Sequence, residues 1–172
     1  CSGSPIGLVP ETVTCDAILQ AWYPGQQGGT AVADVLFGDY NPAGRLPVTF
    51  YRDVNQLPDF EDYNMTGRTY RYFKGDPLFP FGYGLSYTTF NYGNIKLEQT
   101  IKVGETAKII VPVTNTGNRD GEEVVQVYLR REDDPEGPTK TLRAFKRVEI
   151  TKGKSLNVKI ELPYTAFEWF DN

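Results

Sequence analysis

Ala107-Lys-Ile-Ile-Val-Pro-Val-Thr-Asn-Thr-Gly-Asn-Arg-Asp-Gly-Glu-Glu-Val-Val-Gln-Val-Tyr-Leu-Arg-Arg131 decides the fold. Ile109, Val111 and Val113 recur at every second position, the period of a strand with one face in a core. Asn115 to Gly121 is dense in Asn, Asp and Gly, which supply local side-chain bonds and left-handed backbone, so it reads as a turn. Alternation resumes from Glu122 to Arg131, with Val125, Val127 and Leu129 on one face and Val124, Gln126 and Tyr128 on the other. Strand, turn and strand make an antiparallel pair. Pro112 has no N–H to give a ladder, which predicts an edge strand or a bulge.

Downstream, Asp133 to Pro138 reads as a loop. Leu142 to Ile150 and Ser155 to Leu162 are two further strands joined at Lys152-Gly-Lys154, and Leu156, Val158, Ile160 and Leu162 alternate cleanly. Short strands at this spacing imply an immunoglobulin-like, fibronectin type III-like antiparallel β-sandwich over residues 93–172. Such a sandwich has seven strands. About five are firm here and a sixth opens at Glu168-Trp-Phe-Asp-Asn172, so the last strand is expected to be missing.

Upstream, residues 1–50 read as α/β. Asp16 to Tyr23 is an apolar run stopped by Pro24-Gly25, the pattern of a buried strand. Val32, Val35 and Leu36 follow at helical spacing, with Gly38 where a left-handed C-terminal residue belongs. Leu46 to Tyr51 is a short strand. One helix and a few strands cannot cover both faces of a parallel sheet, so this segment is expected to be the remnant of a larger α/β domain. Cys1-Ser-Gly-Ser-Pro-Ile-Gly7 reads like a strand end entering a loop, and upstream sequence is expected before it. Residues 51–92 are irregular and aromatic-rich, and form a strap between domains, because linkers are polar and this stretch is not.

Composition narrows the function. The 172 residues are 40% hydrophobic and 23% charged with a net charge of −4. That is globular, and it lacks the basic stripe that nucleic-acid binding requires. No stretch reaches the roughly 18 apolar residues of a membrane helix. There is no His, which removes imidazole bases, imidazole metal ligands and Ser–His or Cys–His units. Two cysteines, Cys1 and Cys15, cannot make a zinc site; they form either a disulfide or two buried thiols. No metal or cofactor is expected.

Three stretches together carry a family likeness. They are Ala17 to Phe50, with Trp22-Tyr-Pro-Gly-Gln-Gln-Gly-Gly29 and Asn41-Pro-Ala-Gly-Arg-Leu-Pro-Val-Thr-Phe50; Tyr70-Arg-Tyr-Phe73 with Phe79-Pro-Phe-Gly-Tyr-Gly-Leu-Ser-Tyr-Thr-Thr-Phe90; and Val113 to Leu129. In that order they resemble the C-terminal half of glycoside hydrolase family 3, the β-glucosidases and β-xylosidases. The resemblance implies a TIM-like barrel and an α/β sandwich upstream, then the strap, then the fibronectin-like domain. It implies a secreted or periplasmic retaining enzyme acting on terminal non-reducing β-linked sugars. Its nucleophilic Asp and acid/base Glu fall in sequence before Cys1, so no catalytic residue is expected in this chain, whose role would be structural. The Tyr70-Arg-Tyr-Phe73 stretch is most similar to the β-xylosidase branch.

The residues themselves agree. A retaining glycosidase needs two carboxylates about 5–5.5 Å apart. Asp59, Glu61, Asp62, Glu122, Glu123, Asp133, Asp134 and Glu136 each lie in a turn-rich or exposed-looking run and read as solvated charge. Asp39 and Asn41 read as turn caps, Arg45 as a structural bridge with a sugar-hydroxyl ligand as the competing role, and Gly82-Tyr-Gly-Leu-Ser86 as backbone geometry. Sugars stack on aromatic rings beside polar groups. That makes Arg68, Tyr70, Tyr72 and Phe73 the candidates for touching an oligosaccharide in an intact enzyme, against a competing role in packing between domains. The alternative function is a free-standing carbohydrate-binding module, with Trp169 or Tyr128 as a flat platform.

Overall fold

A computed structural model describes residues 3–97 and 101–169. These gather into two compact units with interleaved chain segments. The first holds the chain up to Tyr40 with Arg45–Gly84 and Arg131–Lys140; the second holds Asn41–Gly44, Leu85–Arg130 and the chain from Thr141.

The second unit is the sandwich. Strand β3 (Ala107–Asn115) pairs antiparallel with β1 (Phe90–Tyr92) and β2 (Lys96–Leu97) on one side and with β6 (Ser155–Leu162) on the other. Strands β4 (Gly121–Leu129) and β5 (Thr141–Ile150) form the second sheet. Val111, Val113, Val125, Val148, Ile150, Val158 and Ile160 bury one core cluster, and Ala107, Ile109, Leu162 and Ala166 a second. The period-2 reading of β3 therefore holds, and Val158, Ile160 and Leu162 of β6 are buried as expected, whereas Leu156 near the start of β6 is exposed.

Several expectations change. Pro112 is neither on an edge strand nor at a bulge. Its carbonyl accepts from Gly93 N at 2.8 Å, so the nitrogen of the same residue faces the break between β1 and β2, where no ladder donor is needed. Glu123 is not solvated: in phase with Val125, it is buried, and Tyr92 Oη donates to its carboxylate at 3.1 Å. The bulge lies elsewhere, between Val127 and Tyr128 against Ala144 and Leu142. It re-aims Arg143, whose guanidinium lies 4.7 Å from the Trp169 ring centroid and donates to Glu168 O at 2.9 Å. Residues 164–167 form a 3-10 turn (Tyr164–Phe167), Glu168 and Trp169 are not strand, and residues 170–172 of the expected sixth strand lie outside the described residues.

The turn between β3 and β4 is organised by Asn115, fully buried at the end of β3. Its Nδ2 donates to Arg119 O (2.9 Å) and Ile150 O (2.8 Å), and its Oδ1 accepts from Thr88 Oγ1 (2.7 Å) and Gly117 N (3.1 Å). Its backbone N and O bond Lys154 O and Gly153 N, both at 3.0 Å. Asn41 extends the network. Its Oδ1 accepts from Ser86 Oγ (2.9 Å) and Tyr87 N (2.8 Å), and its Nδ2 donates to Asp120 O (3.0 Å). Asn41 is thus a long-range clip rather than a local turn cap. A Cβ on Gly121 would fall 2.5 Å from Asn41 Nδ2 and 2.8 Å from Thr88 Cγ2, so only Gly lets this loop close.

The first unit contains α1 (Val9–Thr14), α2 (Gly28–Phe37), a 3-10 turn (Val54–Gln56) and the one-turn α3 (Thr69–Tyr72). Gly38 ends α2 in the left-handed conformation (φ 86°), as its position predicted. The expected strand from Asp16 to Tyr23 is absent; no strand lies beside that run among the described residues, and Ile18, Leu19 and Tyr23 are exposed. The strand expected from Leu46 to Tyr51 reduces to one bridge, Phe50 against Phe79, flanked by Leu46 N to Tyr83 O at 2.8 Å. Cys15 is exposed rather than a buried thiol, and Cys1 lies outside the described residues.

Asn115→Ala should destabilise the chain by about 3 kcal/mol, because it strands buried donors and acceptors together. Urea unfolding followed by far-UV circular dichroism measures this. A loss under about 1 kcal/mol, the worth of one ordinary bond, would show that the network is not cooperative.

Candidate functional site

The four candidate residues lie within the first unit and are held by its own side chains. Arg68 is half-buried and acts as a brace. Its Nη2 donates to Asp59 O (2.9 Å) and Asp62 O (2.5 Å), and its Nε to Asn64 O (3.2 Å). Guanidinium donors in a fixed fork suit such a cage of carbonyls, which a lysine could not fill in the same way. Two Asx turns shape the caged loop from inside: Asp59 Oδ1 accepts from Glu61 N (3.0 Å), and Asp62 Oδ1 accepts from Asn64 N (2.9 Å) and Asn64 Nδ2 (2.8 Å). Those Asn64 donors hold the Asp62 carboxyl below its ordinary value of 3.8.

Thr69, next in the chain, has a left-handed backbone with φ 57°, a costly conformation for a β-branched residue. Its N–H is satisfied by Tyr51 Oη at 2.8 Å. Tyr70 stacks on Phe81 with centroids 4.0 Å apart and planes 15° apart, and Phe73 meets Tyr51 edge-on at 5.0 Å and 86°. Tyr72 belongs to neither pair and is half-buried. At the far end of α3, Thr139 N donates to Arg71 O at 2.7 Å, and Thr139 Oγ1 lies 3.0 Å from that carbonyl and 3.3 Å from Tyr70 O.

The structure therefore gathers Arg68, Tyr70, Tyr72 and Phe73 on one short segment, with Tyr70 and Phe73 committed to packing. The rings standing furthest into solvent are two others of the aromatic-rich stretch 51–92. Phe60 is 91% exposed and Tyr63 89%, both on the loop that Arg68 braces. Their signal was available as the spacing Asp59-x-Glu61 and Asp62-x-Asn64, which closes two successive Asx turns and turns the intervening rings outward. Thr139 had no local signal, being 68 residues from its partner.

Neither ring named for a flat binding platform is fully exposed. Arg143 covers the Trp169 ring, and Tyr128 is half-buried with its hydroxyl donating to Gln126 Oε1 at 2.6 Å. Among the described residues no group of three or more His, Cys, Asp or Glu is placed to hold a metal ion, and no helix is long and apolar enough to cross a membrane. Asp133 is drawn below its ordinary range by the bidentate bonds from Arg131 at 3.0 and 2.9 Å, the mark of an ionised surface carboxylate rather than a general acid.

Comparison with known proteins gives two matches along the chain. Residues 1–87 match the model of the glycosyl hydrolase family 3 C-terminal domain, and residues 123–172 that of the fibronectin type III-like domain. A xylan 1,4-beta-xylosidase of Xylanibacter ruminicola is 58% identical over 99% of this chain, which spans 20% of that protein. A periplasmic beta-glucosidase of Salmonella typhimurium is 40% identical over 99% of this chain and 24% of its own length. The solved beta-glucosidase 3B of Thermotoga neapolitana superimposes with a TM-score of 0.87 at 35% identity, over 99% of this chain and 26% of that one. The chain thus spans a fifth to a quarter of the length of the relatives it matches.

The Asp62 carboxyl carbon, followed by NMR, should titrate below 3.8. Asn64→Ala keeps the backbone donor and removes the side-chain one, so the midpoint should rise part of the way back. Because the folded value is depressed, the stabilisation is present above the unfolded value of about 4 and is lost as pH falls from there through the depressed midpoint. In the variant that loss should come at a higher pH. An unmoved midpoint would remove the Asn64 side chain as a cause.

Proposed function

The chain belongs to glycosyl hydrolase family 3, and on that footing we propose that it is the C-terminal part of a retaining β-glycosidase of the β-xylosidase or β-glucosidase type. The whole enzyme removes terminal non-reducing β-linked sugars during the breakdown of plant-type polysaccharides. The observation that carries this reading is the end-to-end match with the xylan 1,4-beta-xylosidase, at 58% identity over 99% of the chain. The same match favours the β-xylosidase branch, and the periplasmic beta-glucosidase among the relatives favours a periplasmic or secreted location.

Within that enzyme the chain has a bracing role, and both catalytic carboxylates come from sequence outside it. Its partners are the preceding barrel and α/β domains. The apolar surface they would cover is large: Tyr23 is 82% and Phe37 84% exposed, with Leu36 and Val13 also open to solvent. Exposed apolar area of that kind marks a contact surface. The segment Arg68 to Phe73 serves as a braced edge of the substrate site. Tyr72 is its ring most available to a sugar, while Tyr70 and Phe73 hold the segment in shape.

The purified chain should release no aryl alcohol from aryl β-xylosides or β-glucosides, and should self-associate with rising concentration in sedimentation velocity. Turnover that exceeds a mock preparation would overturn the assignment of the catalytic carboxylates to other sequence. A sharp monomer at every concentration would contradict the contact surface.

A further inference from the structure

The loop between β4 and β5 leaves the sandwich after Arg130 and returns at Thr141, yet residues 131–140 pack with the first unit. The loop has a framework of its own. Arg131 forms a two-pronged ion pair with Asp133. Gly137 N donates to Asp134 O at 3.3 Å, and a Cβ on Gly137 would meet the Asp134 carboxylate at 2.2 Å. Pro135 and Pro138 restrict the backbone on either side. What this frame delivers is Thr139, bonded through N and Oγ1 to the carbonyl of Arg71 and within reach of that of Tyr70.

Those carbonyls end a one-turn helix. A helix of four residues cannot hold itself in water, since nucleation is costly and each end leaves backbone groups unsatisfied. From the N-terminal side α3 is fixed by the Arg68 cage and by Tyr51 beneath Thr69. From the C-terminal side its carbonyls are capped by Thr139. We propose that Thr139 is a positioning residue for the substrate edge. By capping α3 it sets the direction of Tyr72 and keeps the Tyr70–Phe81 stack in register, without touching sugar itself. This rests on the reading that the segment from Arg68 to Phe73 borders the substrate.

The test uses the full-length enzyme that contains this chain, with an aryl β-xyloside and a β-linked xylobiose as substrates. Thr139→Val keeps the shape and the backbone N–H but removes the hydroxyl donor. KM should rise about threefold to tenfold, the worth of one neutral hydrogen bond, with kcat nearly unchanged. Thr139→Ser should restore the original KM, which a purely packing role for the methyl group would not do. Tyr72→Ala tests the underlying reading in parallel. If Tyr72→Ala raises KM and Thr139→Val does not, the positioning role is wrong and the substrate edge stands. If neither changes KM, both fall. If Thr139→Val lowers the thermal midpoint while leaving KM alone, Thr139 is structural only and the proposal is overturned.

Discussion

A buried amide has four hydrogen-bonding sites, and in a dry core every one must be filled. Asn115 fills all of them from four separate places: the residue 88 hydroxyl, the tight turn after β3, the Arg119 carbonyl and the end of β5. An Asp would turn the two donated bonds into repulsions against carbonyl oxygens, and a Leu would leave every partner stranded. The β3–β4 turn, the β5–β6 turn and the approach to β1 therefore share one geometric solution. The Asn41 clip and the bare Gly121 follow from it, because they close around the loops that Asn115 has already set.

Much of the sandwich could be read from residue order. Strands β3 and β6 betray themselves through the alternation of Ile109, Val111 and Val113 and of Val158, Ile160 and Leu162, because a half-buried strand needs nothing beyond its own period. Gly38 announces the end of α2 for an equally local reason. Long-range features were not legible. Glu123 sits in a run of surface-like residues, and its burial depends on Tyr92, which is distant in sequence. Pro112 looked like an edge residue because a sequence cannot show that the partner strand is broken opposite its nitrogen. The run from Asp16 to Tyr23 has the apolar content of a strand, but extended backbone is stable only with a neighbour to bond, and composition says nothing about neighbours.

The candidate site divides the same way. That Arg68, Tyr70, Tyr72 and Phe73 would lie together was evident from their adjacency. Their separate duties were not. Arg68 spends its donors on carbonyls, Tyr70 and Phe73 spend their faces on Phe81 and Tyr51, and Phe60 and Tyr63 face solvent. Rings that lock a segment and rings that meet a ligand look identical in a sequence; partner geometry alone separates them.

The interleaving of the two units sets an order on biogenesis. Residues 41–44 go to the sandwich while the chain on both sides goes to the other unit, and residues 131–140 do the reverse. As the ribosome releases this chain, the first unit stays unfinished until Lys140 has emerged, by which time four of the six strands among the described residues have already appeared. Neither unit is a continuous stretch that a protease could excise whole. Recombination that joins genes at a single crossover would find no clean seam here, so the pair is expected to be inherited and exchanged as one block.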